Sequence, residues 1–185
     1  MTGLLGSGGS YRAWADFLER WARGAPEAAE GLPPLVLEDF PEDTRERFRV
    51  RVTEALTRRL QDWSDALTAA LNAAPDEFGA GRALAQARTG LRAVRALAEH
   101  PGLDEEFRTR LTEVVDERIR RFQTDQEGEL DRLAALDVDP GWLEERRRTL
   151  RDNPLTAVIA ETAPASRDGW SYDPAAPPRR RIVRG

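Results

Sequence analysis

Nucleophilic catalysis by a Ser–His–acid constellation in this chain would have to centre on His100, its only histidine. A Ser–His–acid arrangement needs an imidazole to take the hydroxyl proton. His100 lies in His100-Pro101-Gly102, a sharp turn at a helix end, where a ring capping carbonyls of the preceding turn is the expected role. The Gly-x-Ser-x-Gly elbow of the hydrolases does not occur. Cysteine is absent as well, so there is no thiolate nucleophile, no disulfide framework and no cysteine-ligated zinc or iron–sulfur site. Glu113, Asp116, Glu117 and Asp125 could together hold a hard cation, but Arg118, Arg120 and Arg121 interleave with them. A solvated, ion-paired helix face is the expectation there. Di-metal bundles carry Glu-x-x-His on their helices, and no glutamate here has a histidine three residues on. A phosphate-binding Gly-x-x-x-x-Gly-Lys loop is impossible without lysine. The glycine-rich run from Gly3 to Ser10 lacks a preceding strand and a basic partner, and reads as a flexible arm. No catalytic, cofactor-binding or metal-ligating residue is assigned, and the expectation is a protein that is not an enzyme.

Two segments have the chemistry of docking elements instead. The first is C-terminal. Trp170 and Tyr172 sit in a polar stretch ahead of Pro174, and Arg179, Arg180, Arg181 and Arg184 follow Pro177 and Pro178. Aromatic anchors in a proline-stiffened segment suit a groove, and arginine forks suit carboxylates or phosphates. The second is the loop holding Leu32, Leu35, Val36, Leu37 and Phe40, too apolar for a free linker. It is expected to lie across the helices as an extended cover, and Leu32, Leu35, Leu37 and Phe40 are the secondary partner-binding candidates.

Charge narrows the choice of partner. All 28 basic side chains are arginine, and 33 carboxylates outnumber them, for a net charge of −5. Arginine in place of lysine, with abundant Ala and Gly, is the composition of a GC-rich coding sequence. Residues 163–185 carry five arginines against two aspartates, a net +3 that leaves −8 on the rest. An acidic body with a basic tail can meet an acidic protein, a nucleic acid or itself.

The elements that would position these residues are helical. At 185 residues the chain is long enough for one domain with a sizeable core. Ser10 is a plausible N-cap for a first helix with Tyr11, Trp14, Leu18 and Trp21 on one face, stopped by Gly24 and Pro26. From Pro41, Phe48, Val52, Leu56, Leu60, Trp63, Leu67 and Leu71 recur at steps of three and four, predicting a second helix of about 32 residues, or about 48 Å. Leu84, Ala87, Leu91, Val94 and Leu97 mark a third helix between Asp76 and Glu99. Its Gly79, Gly81 and Gly90 suggest close approach by a neighbour. A fourth, from Asp104 to about Leu136, carries Phe107, Leu111, Val114, Val115, Ile119, Phe122, Leu130 and Leu133. Its stripe lapses at Gln126, where a bend or a polar inter-helix contact is expected. A fifth spans Pro140 to Asp152 with Trp142, Leu143 and Leu150 inward, and an apolar turn from Leu155 to Ile159 follows.

These patterns predict an all-α, antiparallel up-and-down bundle of four to five helices with extended N- and C-terminal tails. The expected organisation is a flexible arm over 1–9, a helical domain over 10–161 and a Pro/Arg-rich tail over 162–185. No signal-peptide pattern and no apolar run near the roughly 18 residues of a membrane span occurs, so a cytoplasmic protein without a membrane partner is expected. The function expected is that of a helical interaction protein: an adaptor, assembly or accessory subunit that binds a protein partner or a second copy. The alternatives are nucleic-acid association through the C-terminal arginines, and an enzyme with an unrecognised carboxylate or arginine site.

Overall fold

Each apolar stripe becomes the buried face of a helix. The structure is a computed structural model and describes residues 11–24 and 32–156. Among these lie five helices and no strand: α1 (Tyr11–Ala22), α2 (Glu42–Ala73), α3 (Glu77–Ala98), α4 (Glu105–Ala134) and α5 (Pro140–Asp152). A single 3-10 turn, Leu37–Asp39, precedes α2. The helix ends follow cap chemistry. Asp76 accepts from the Gly79 amide at 2.7 Å, Asp104 from the Phe107 amide at 2.9 Å, and Asp139 from Gly141 at 3.1 Å. Pro140 occupies the first turn of α5. α2 has no side-chain cap but opens with Glu42 and Asp43, which favour the positive end of the helix dipole.

Tight turns fold α2, α3 and α4 into an antiparallel up-and-down set. α2 packs closely on α3 and on α1, while α5 closes the other end against α3 and α4. One continuous core runs through α1 to α4 and the loop before α2, with Trp14, Phe48, Leu56, Leu84, Leu91, Leu111 and Ile119 among its least accessible members. The loop is the cover the sequence predicts. Leu35, Leu37 and Phe40 are buried, and Trp14 donates its indole N–H to the Pro34 carbonyl at 3.1 Å.

Three expectations are corrected. Val114 does not face inward: it is 40% exposed. Val115, about 100° round the helix from it, is fully buried, and Val114 lies on the α2 side where the packing is open. Trp142 is only partly buried, its ring lying under the Arg146 guanidinium at 5.0 Å. α4 ends at Ala134, which leaves Leu136 exposed. Of the three glycines, Gly90 lies against Trp63, where a Cβ would meet the indole at 3.4 Å, and Gly79 is tightly surrounded, but Gly81 faces open space.

Candidate functional site

The residues with catalytic potential are engaged in structure. His100 is buried beneath the loop. Its Nδ1 accepts from the Gly102 amide at 3.0 Å, which fixes the proton on Nε2, and Nε2 donates to the Pro33 carbonyl at 3.1 Å. Its ring also meets Trp14 edge to face at 5.5 Å. Burial pushes its pKa below the ordinary 6.5, against the contrary pull of the Pro33 carbonyl. The imidazole therefore ties loop, turn and α1 together, and does not cap the carbonyls of the preceding turn as the sequence suggests. The loop passes so close over the turn that a Cβ at Gly102 would lie 2.2 Å from the Leu35 carbonyl oxygen.

Of the four candidate α4 carboxylates, Asp116 and Glu117 are ion-paired. Asp116 accepts from buried Arg95 of α3 at 2.6 Å, and Glu117 pairs with Arg120 at 3.1 Å. No group of three or more metal-ligating side chains forms among the described residues.

Two interhelical roles have little signal in the sequence. Arg146 of α5 is buried and donates to the Leu71 and Ala74 carbonyls at 3.0 and 3.3 Å. It thus caps α2 from a distant helix, at the negative end of the α2 dipole. Burial alone pulls its pKa below the ordinary arginine value. Arg49 of α2 reaches the α4 cap Asp104 at 3.0 Å. Burial works against the Asp104 carboxylate, but the Phe107 amide and Arg49 outweigh it and hold its pKa below the ordinary 3.8. Both contacts are set by helix packing, so no spacing rule announces them.

The candidate site is the seam between α2 and α4. Against α3 and α1, α2 is closely packed; against α4 it touches more sparsely. Two adjoining depressions run along this seam. The upper one, about 530 Å³, is lined by Glu46, Arg49, Val50, Thr53, Glu54, Asp104, Glu106, Phe107, Arg110, Leu111 and Val114. The lower one, about 520 Å³, is lined by Thr57, Leu60, Gln61, Arg110, Glu113, Val114, Glu117, Arg118 and Arg121. Val50 is 48% exposed, and with Val114 it gives the seam an apolar centre between charged banks. Arg118 crosses the lower part to Gln61 and to the Ser64 hydroxyl, the latter at 2.7 Å. The one sign of this seam in the sequence is the doubled valine, Val114-Val115, which widens the apolar stripe of α4 at that point.

A third depression, about 390 Å³, opens where the α4 stripe lapses. Gln123, Gln126 and Glu127 of α4 and Arg147 and Arg151 of α5 line it, with Leu84, Phe122 and Leu130. Arg147 pairs with Asp131 at 2.8 Å, and α4 continues unbroken through Gly128. A polar inter-helix contact, not a break in the helix, accompanies the lapse.

The loop candidates Leu35, Leu37 and Phe40 serve the chain's own core, and Leu32 packs partly buried against it. Trp170, Tyr172, Arg179, Arg180, Arg181 and Arg184, with the boundaries at 9 and 161, lie outside the described residues. No family model, curated protein or solved structure matches this chain. No described helix is long and apolar enough to cross a membrane.

Proposed function

We propose that the protein is a non-enzymatic helical interaction protein, an adaptor or accessory subunit of a cytoplasmic assembly that presents the α2–α4 seam and the C-terminal segment to partners. The observation that carries the reading is the seam itself. Val50 and Val114 stand exposed in a charged groove between two helices of 32 and 30 residues. A groove of that form accepts the apolar face of another helix. The C-terminal element adds Trp170 and Tyr172 as anchors and Arg179 to Arg181 as a positive charge that the acidic body lacks.

The test compares capture of partners by three proteins: the full chain, a chain ending at Glu161, and a full chain with Val50→Arg and Val114→Arg. Loss on truncation assigns docking to the C-terminal element, and loss in the double variant assigns it to the seam. Equal capture by all three, with equal affinity, sinks the proposal for both surfaces. A second reading follows from the arginine run, which has no acidic neighbours from Pro174 onward. Four phosphate contacts would make nucleic-acid affinity fall with salt at a log–log slope of about −3 to −4, without sequence preference. A salt titration on unrelated duplexes separates it from protein docking.

A further inference from the structure

The seam-facing residues of α4 form a pattern that is complementary to itself. Glu106, Arg110, Glu113, Val114, Glu117 and Arg121 all line the seam. At about 100° per residue they fall on one stripe of the helix, and that stripe has a centre between positions 113 and 114. Reversing the helix about that centre places position 106 against 121, 110 against 117 and 113 against 114. Four of the charged residues then meet their opposites: Glu106 faces Arg121 and Arg110 faces Glu117, each twice by symmetry, while Glu113 faces Val114 of the other copy beside the axis. The wider groove has the same polarity. Its upper half carries four carboxylates to two guanidiniums, and its lower half three guanidiniums to two carboxylates. A two-fold axis across the seam lays the acidic half of one chain on the basic half of the other.

We propose that the seam is a self-association surface, and that a second copy of this chain docks on it with the two α4 helices antiparallel. This rests on the seam being a docking surface, as argued above, and commits it to one occupant. An isologous two-fold contact requires that residue i meet j while j meets i, and the pairs 106 with 121 and 110 with 117 meet that condition with opposite charges. The groups are available for it. Arg121 makes no ion pair among the described residues, and Glu117 pairs only with Arg120 on the surface, both side chains 66% exposed. Glu106 and Arg110 pair with each other on the surface, with side chains 76% and 69% exposed. Such a pair is screened by water and weak, so exchange for intermolecular partners is nearly cost-free. Few large apolar groups line the seam, so the dimer is concentration-dependent and salt-sensitive rather than permanent.

The experiment is a charge exchange read by sedimentation equilibrium on purified full-length protein. The native chain should approach twice its 20.7 kDa mass as concentration rises. Glu106→Arg alone and Arg121→Glu alone each place two like-charge contacts in the symmetric dimer, and each should raise the dissociation constant on the order of tenfold or more. The chain carrying both exchanges should dimerise as the native one does. Mixing the two single variants should also restore association, because Arg at 106 of one chain then faces Glu at 121 of the other, and the native Glu106 and Arg121 face each other. Both positions are exposed, and unchanged thermal melts check that the fold is intact. A native chain that stays at one-chain mass at all concentrations overturns the proposal. So does a dimer indifferent to both exchanges. Either result leaves the seam open to a different protein, which the capture experiment with Val50→Arg and Val114→Arg decides separately.

Discussion

The two flanks of α2 are built by opposite means. On one flank α3, α1 and the loop over 32–40 close down on it with rings. Trp14 meets Phe17, Phe48 and His100 edge to face at 5.4 to 5.5 Å, and Phe40 meets Phe48 at 5.6 Å. Every polar group drawn into that cluster has a named partner: the Trp14 indole with Pro34, and both His100 nitrogens with Pro33 and Gly102. On the other flank α4 leaves a trough with two exposed valines, where Arg49 and Asp104 pair across it and the other charges pair within a turn of their own helix or make no ion pair among the described residues. Apolar side chains serve stability on one side and remain available for association on the other. What differs is whether another element of the same chain lies on top.

The largest test of the closed flank is Trp14→Ala. Removing a fully buried ring should cost about 3–5 kcal/mol in urea titrations, and a loss under about 0.5 kcal/mol would mean the ring cluster is not the lock described. On the floor of the seam, Leu111→Ala should cost about 2–5 kcal/mol and Trp63→Ala, between α2 and α3, about 3–5. Small losses there would extend the open character of the seam into the core. Arg146→Met, at the α5 end, keeps much of the side chain's bulk but removes the donors to two α2 carbonyls. A loss of about 1.5–3 kcal/mol is expected, the range of hydrogen bonds made by charged groups.

Titration gives a smaller and more specific comparison. His100 is held neutral, its folded pKa below 6.5. The unfolded chain therefore takes up a proton first as pH falls. The stabilisation is complete above 6.5 and is lost as pH falls from there through the folded pKa. The urea midpoint should drop as pH falls below 6.5, and His100→Asn should flatten that step. Asp104 acts in a lower window: its folded pKa lies below 3.8, so its contribution is complete above that value and lost as pH falls through the folded one. The smallest expected effect is the most telling for the contrast. Val114→Ala should change monomer stability by no more than about 0.5 kcal/mol, as for other surface positions, whereas Val115→Ala, one residue on, should cost more than 1 kcal/mol by leaving a core cavity, of the order seen for buried methyl deletions. Equal costs at the two positions would erase the distinction between seam and core.

The sequence alone determined the helices. Steps of three and four set the buried faces, and Asp76, Asp104, Asp139, Pro140 and the proline turns set their ends, because caps and amphipathic stripes act within a turn or two of the residues that make them. It also determined that the loop at Leu35, Leu37 and Phe40 would lie on the bundle, since that much apolar surface does not stay in water. Packing decided the rest. Which of Val114 and Val115 is core depends on where α3 lies relative to α4. Arg146 finds the α2 carbonyls, and Arg49 the α4 cap, only after the helices have come together. The seam exists because α2 and α4 diverge in contact while sharing α3, a consequence of three-dimensional arrangement that no periodicity along one helix encodes. Local rules read along the chain; a surface made by two helices belongs to their relative placement.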